Sequence, residues 1–126
     1  MISFSILLLL AITHYICDFV IQPEEWNTNK DIDIEILIKH TLLYAFAFMP
    51  TAYMLFLDPW STFLFVTVLA LSHLIIDYSI SKVVSFKEKI SLMSCKIPNC
   101  GFYSLVGLES LLHYISLFAI YIYLKG

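Results

Sequence analysis

The sequence predicts an all-α membrane protein, a single domain of four transmembrane helices. Three observations carry that prediction. Sixty per cent of the 126 residues are hydrophobic and only 13% are charged, against ~45–50% and ~25% in ordinary soluble domains. Seven lysines and ten carboxylates are too few to coat a soluble fold of this length. Finally, four apolar runs each reach the ~20 residues that a helix needs to cross a bilayer.

The first run, residues 2–22, contains one formal charge, Asp18. The second, 34–57, carries Glu35, Lys39 and His40 in its first two turns and no charge thereafter. The third, 60–80, contains only Asp77, and the fourth, 102–124, only Glu109. Barrel strands would be shorter and would alternate in polarity, so helices, which satisfy their own backbone groups in lipid, are expected. Residues 23–33 form a polar, acidic loop, and Asp58-Pro59 is a tight turn joining spans two and three. Residues 81–101 read as a basic loop, and Pro50 is expected to kink span two.

Lysine placement sets the orientation. Lys30, Lys39, Lys82, Lys87, Lys89 and Lys96 fall on the side of the first and third loops, and Lys125 on the other. The positive-inside rule makes those loops cytoplasmic and puts both termini on the non-cytoplasmic side of an inner membrane. Span one has no basic leader and no small-residue cleavage site, so it is expected to stay. The net charge of −3 and the lack of arginine argue against nucleic-acid binding.

The polar residues inside the spans hold the functional signal. All four histidines, His14, His40, His73 and His113, lie within spans. His14-x3-Asp18 and His73-x3-Asp77 repeat one spacing, which puts both side chains on one helix face. Glu109 and His113 use the same spacing in reverse, and Tyr44 lies one turn beyond His40. At ~1.5 Å per residue, Asp18 and Asp77 lie 5–8 Å below the cytoplasmic surface, His40 and Glu109 9–11 Å, and the other histidines 12–16 Å. Antiparallel spans thus deliver seven ionisable groups to one leaflet, at ~2.5–3.5 kcal/mol each if left unpaired. Imidazole with carboxylate suits zinc, manganese or iron. His14, Asp18, His40, His73, Asp77 and His113 are the expected ligands of one or two divalent transition-metal ions. Glu109 and Gln22 are the expected catalytic groups, Glu109 as base and Gln22 orienting a ligand or substrate.

Two readings follow. One is a metal-dependent hydrolase acting on a lipid or phosphoester near the inner leaflet. The other is a small homo-oligomeric bundle that conducts ions or protons, or a scaffold in which the polar residues join helices at under ~2 kcal/mol each. An oligomer is expected in either case, because four spans leave little room for a chamber and its support. Cys95-x4-Cys100 read as two inert reduced thiols, and Cys17, on a different helix face from Asp18, as packing. Ser104, Gly107 and Ser110 read as a close-packing stripe. Trp26, Trp60, Tyr103, Tyr121 and Tyr123 read as interfacial aromatics, and Lys82, Lys87 and Lys89 can attract anionic headgroups.

The pattern His14-x3-Asp18-Phe19-x2-Gln22, then Lys30, Leu37-x2-His40-x3-Tyr44, His73-x3-Asp77 and a final His113 resembles the bacterial and phage integral-membrane family called domain of unknown function 3307. The resemblance runs over nearly the whole chain and rests on the polar positions. It implies the same four-span architecture and a shared importance of those positions; it implies no activity. The family pattern has an Asp-Gln pair before the last histidine, where this chain has Glu109-Ser110, keeping a carboxylate and losing an amide. Repeated H-x3-D is also similar, in spacing alone, to membrane-bound metal-dependent hydrolases.

Overall fold

A computed structural model describes residues 2–23, 25–26, 33–94 and 102–126, with side chains omitted for 84–94 and 102–106. The described chain forms α1 (Phe4–Tyr15), extended by a π-helical turn over Ile16–Val20, then α2 (Ile34–Phe56), α3 (Pro59–Ser94) and α4 (Phe102–Lys125). No strand occurs among the described residues.

The helix ends are capped by short-range chemistry. The Ser3 side chain accepts from the Ile6 N–H at the start of α1, and Asp33 accepts from Glu35 at the start of α2. α2 ends at Leu57, which adopts left-handed backbone angles with φ 56°. Asp58 then caps α3, its Oδ2 accepting from the Ser61 N–H at 2.7 Å, while Pro59 occupies the first helical position, where a missing N–H costs nothing. That bond holds the Asp58 carboxyl below its ordinary pKa. Lys125 closes the same end of the bundle by donating to the Leu55 carbonyl at 2.9 Å.

Three expectations about the elements need correction. Span one is not a uniform α-helix, because its last turn widens at Ile16. Residues 81–94 are not loop: α3 runs on to Ser94, since this stretch holds no glycine or proline and is rich in residues that tolerate a helix. Tyr121 is not interfacial but buried, packed against Phe56 and Phe65. α2 passes through Pro50 without a break. Residues 95–101, with Cys95, Lys96 and Cys100, and residues 27–32, with Lys30, lie outside the described residues.

The helices pack in a ring, each against its two sequence neighbours, with α4 returning to α1. Cross-contacts run antiparallel: Thr13 meets Thr51, His14 meets Tyr44, and Asp18 meets His40. Phe65 meets Tyr121 and Asp77 meets His113. The two chain ends share one end of the bundle, where Ile2, Ile6, Tyr121 and Lys125 line a common hollow. Half of the interior is apolar, filled by Leu10, Phe48, Phe65 and Leu117, all fully buried. The other half is polar. Outward faces carry the reverse pattern, with Phe46, Met54, Phe63, Ile75 and Leu111 more than half exposed. Among the described residues two helices, Pro59–Val83 and Gly107–Lys125, are long and apolar enough to cross a membrane; Phe4–Val20 is apolar but shorter.

Asp58→Ala removes the α3 cap. It is expected to lower the melting temperature in detergent at neutral pH. The carboxyl's pKa is depressed in the fold, so its stabilisation is present above the ordinary carboxylate pKa and disappears as pH falls through the lowered one. Melting curves of wild type and variant should therefore converge in acid.

Candidate metal centre

The polar half of the interior is built by one residue or pair from each helix. α2 supplies His40, α3 supplies His73 and Asp77, α4 supplies Glu109 and His113, and the first segment supplies His14 and Asp18. All six predicted ligands are at least 97% buried.

The two H-x3-D motifs are identical in spacing and different in geometry. On α3 the turn is regular, and Asp77 Oδ2 lies 3.2 Å from His73 Nε2. On the first segment α-helix gives way to the π turn, whose i→i+5 bond runs from the Ile21 N–H to the Ile16 carbonyl. His14 Nε2 and Asp18 Oδ2 are then 3.8 Å apart, and Asp18 Oδ1 instead reaches His40 Nε2 at 2.9 Å. The wide turn has a second effect. In a regular helix the Ile21 N–H would bond the Cys17 carbonyl. Here the Gln22 amide takes that place, Nε2 donating to the Cys17 carbonyl at 3.1 Å and to the His40 carbonyl at 3.2 Å. Gln22 thus ties the first segment to α2 directly under the site. Its Nε2 is spent on these two carbonyls, while its Oε1 is buried without a hydrogen-bond partner among the described residues.

The imidazoles converge. His40 Nε2 and His73 Nε2 are 3.0 Å apart. His40 Nε2 also lies 3.2 Å from Asp77 Oδ2, and His73 Nε2 lies 3.6 Å from Asp18 Oδ1. On the other side of Asp77, Oδ1 meets His113 Nε2 at 2.8 Å, and His113 Nε2 lies 3.8 Å from Glu109 Oε1. Among the described residues three triads have ligand atoms mutually close enough for one ion: Asp18–His73–His113, His40–His73–Asp77 and Asp77–Glu109–His113.

Aromatic packing holds the rings in place. Tyr44 stacks on His73 at 4.0 Å between centroids with a 12° tilt, and His73 stacks on His113 at 4.2 Å. Tyr44 Oη also bonds His14 Nδ1 at 2.8 Å, which turns His14 Nε2 toward Asp18. Sequence reasoning noted the His40–Tyr44 spacing but not this role. Tyr44 contacts two histidines of other helices, stacking on His73 and bonding His14. Tyr114, which meets His14 edge-on at 5.0 Å, was missed altogether. Its place next to His113 is the only sequence signal for it.

Other predicted features fall elsewhere. Cys17 is buried as a packing residue. Gly107 is exposed, and a methyl group there would meet nothing within 4 Å among the described residues. The side chains of Ser104 and Tyr103 are not described.

The fold and the cluster define a class: a small helical bundle with an apolar exterior and a buried histidine–carboxylate centre fit to hold a cation. Residues 6–125 match the family model described as protein of unknown function (DUF3307), and the chain belongs to that family. No curated protein and no solved structure matches it significantly.

Gln22→Leu is nearly isosteric and removes the donor to the buried Cys17 carbonyl, which the π turn has already separated from the Ile21 N–H, a loss of about 1–3 kcal/mol. A fall in unfolding free energy within that range, measured by denaturant titration in mixed micelles, is expected. No change would mean that water replaces the amide.

Proposed function

We propose that the protein is an integral membrane protein whose four helices cross the inner membrane with both termini outside, and that its buried cluster binds a divalent transition metal to hydrolyse an ester or phosphoester of an inner-leaflet amphiphile. Apolar residues outside and ionisable residues inside are what a bilayer, not water, selects. The lysine asymmetry supports the orientation.

One observation carries the metal reading. The five distances among His40 Nε2, His73 Nε2, Asp18 Oδ1 and Asp77 Oδ2 given above lie between 2.9 and 3.6 Å. A tetrahedral ion with ligands at 2.0–2.1 Å has edges of about 3.3 Å. Hydrogen bonding alone accounts for this poorly. A single Nε2–H on His40 would face three acceptors at once, and two Nε2 atoms in contact need one of them bare. A cation among His40, His73 and Asp77, whose ligand atoms all lie within reach of one ion, satisfies those atoms together.

A divalent ion held there supplies Lewis acidity, polarising a phosphoryl or carbonyl oxygen and making water more acidic. The chain's own groups do the rest. His14, held by Tyr44, keeps Asp18 in register. Glu109 is the least buried carboxylate of the cluster at 13% exposure. It sits where it can take a proton from water or extend the ligand set. An apolar groove of about 310 Å³ between α2 and α3 has Thr41 and Leu74, neighbours of His40 and His73, in its wall, and suits an acyl chain. A conducting pathway fits less well, because the interior beyond Tyr44 is filled by Leu10, Phe48, Phe65 and Leu117.

Elemental analysis of detergent-purified protein is expected to find at least about one equivalent of zinc, manganese or iron per chain, and half of the wild-type content or less in His73→Ala. With phospholipid or a chromogenic phosphoester in mixed micelles, Glu109→Gln is expected to lower turnover about 100-fold. Metal-free wild type that matches His73→Ala in stability would sink the proposal.

A further inference from the structure

We infer that the centre holds two ions rather than one, with Asp77 and Asp18 as carboxylate bridges between them. The inference rests on the metal reading above and specifies its stoichiometry and ligand partition.

The observation is that each aspartate divides its two oxygens between different histidines. Asp77 Oδ2 faces His40 and His73, both at 3.2 Å, while Oδ1 faces His113 at 2.8 Å. Asp18 does the same, Oδ1 facing His40 at 2.9 Å and His73 at 3.6 Å, and Oδ2 facing His14 at 3.8 Å. Two of the three triads share Asp77, His40–His73–Asp77 on one side and Asp77–Glu109–His113 on the other, with Asp18 and His14 beside them. His40 and His73 share one centre, their Nε2 atoms 3.0 Å apart. His14 and His113 face each other across the other, with ring centroids 5.4 Å apart. Glu109 belongs with the second pair, 3.8 Å from His113 Nε2. The set splits into His40, His73, Asp18 Oδ1 and Asp77 Oδ2 for one ion. It leaves His14, His113, Glu109, Asp18 Oδ2 and Asp77 Oδ1 for the other.

A lone ion uses this arrangement badly. Seated among His40, His73 and Asp77 Oδ2, it leaves unused the Asp77–Glu109–His113 triad, whose ligand atoms are also close enough together for one ion. A carboxylate that spans two metal ions, one on each oxygen, is how paired sites are commonly held at about 3.5–4 Å. The paired H-x3-D motifs make sense on the same terms, because each contributes one bridging aspartate and one histidine to opposite ions.

The test is metal stoichiometry combined with the magnetic state of the bound ion. Full-length protein in detergent is stripped with chelator, loaded with Mn²⁺ and desalted. Wild type should retain about two equivalents and give the weak, broadened electron paramagnetic resonance of an exchange-coupled pair. His40→Ala and His113→Ala should each retain about one and give the six-line spectrum of an isolated ion. Wild type holding one equivalent with a six-line spectrum overturns the bridged pair while leaving a single-metal site intact. Retention of none removes both readings. The wild-type spectrum decides the matter even if either variant fails to fold.

Discussion

The arrangement depends on the contact between His40 Nε2 and its surroundings: an imidazole nitrogen with another imidazole nitrogen at 3.0 Å and two carboxylate oxygens at 2.9 and 3.2 Å, fully buried. In an apolar interior such groups are tolerated only when each is answered by a partner. That demand fixes much of the bundle. It sets the register of α2 against the first segment and against α3, because His40 must meet Asp18 and Asp77 together. It also fixes the rotation of α4, whose His113 must reach Asp77. The apolar half of the interior, from Tyr44 to Tyr121, fills space without specifying register so narrowly.

Tyr44 links the two halves. Its ring stacks on His73 and meets Phe48, and its hydroxyl bonds His14. Below it the side chains are ionisable; above it they are Leu10, Phe65 and Leu117. A buried tyrosine between apolar packing and polar chemistry spends its ring on one and its hydroxyl on the other. Gln22 does comparable work at the opposite edge, joining two segments through their backbone carbonyls.

The helices and the site residues were largely legible in the sequence, for a physical reason. Long apolar helices leave few places for charge, and every ionisable residue then stands out against a greasy background. His14, Asp18, His40, His73, Asp77 and His113 were visible as exceptions, and depth counting brought them together. What stayed hidden was the geometry. Nothing in His14-x3-Asp18 distinguishes it from His73-x3-Asp77, yet one lies across a π turn and the other on a regular helix. Backbone hydrogen-bond routing decided that, and it depends on contacts with α2 that a local spacing does not encode. The extension of α3 past Ile80 was missed because loss of hydropathy was read as loss of helix. Charged residues end a span; they do not end a helix. Tyr121 was misread because an aromatic near a span end fits an interface or a core equally well until its neighbours are known.

Belonging to a family of unknown function leaves the chemistry to be argued from the site. The central claim is that imidazole nitrogens and carboxylate oxygens from all four helical segments surround a cation. X-ray absorption at the metal edge, recorded on protein purified without added metal or chelator, tests it most directly. A first coordination sphere of nitrogen and oxygen at about 2.0–2.2 Å, with the outer-shell scattering of imidazole rings, is the predicted result. An edge no larger than that of the buffer, or a sphere of oxygens without imidazole, would contradict it.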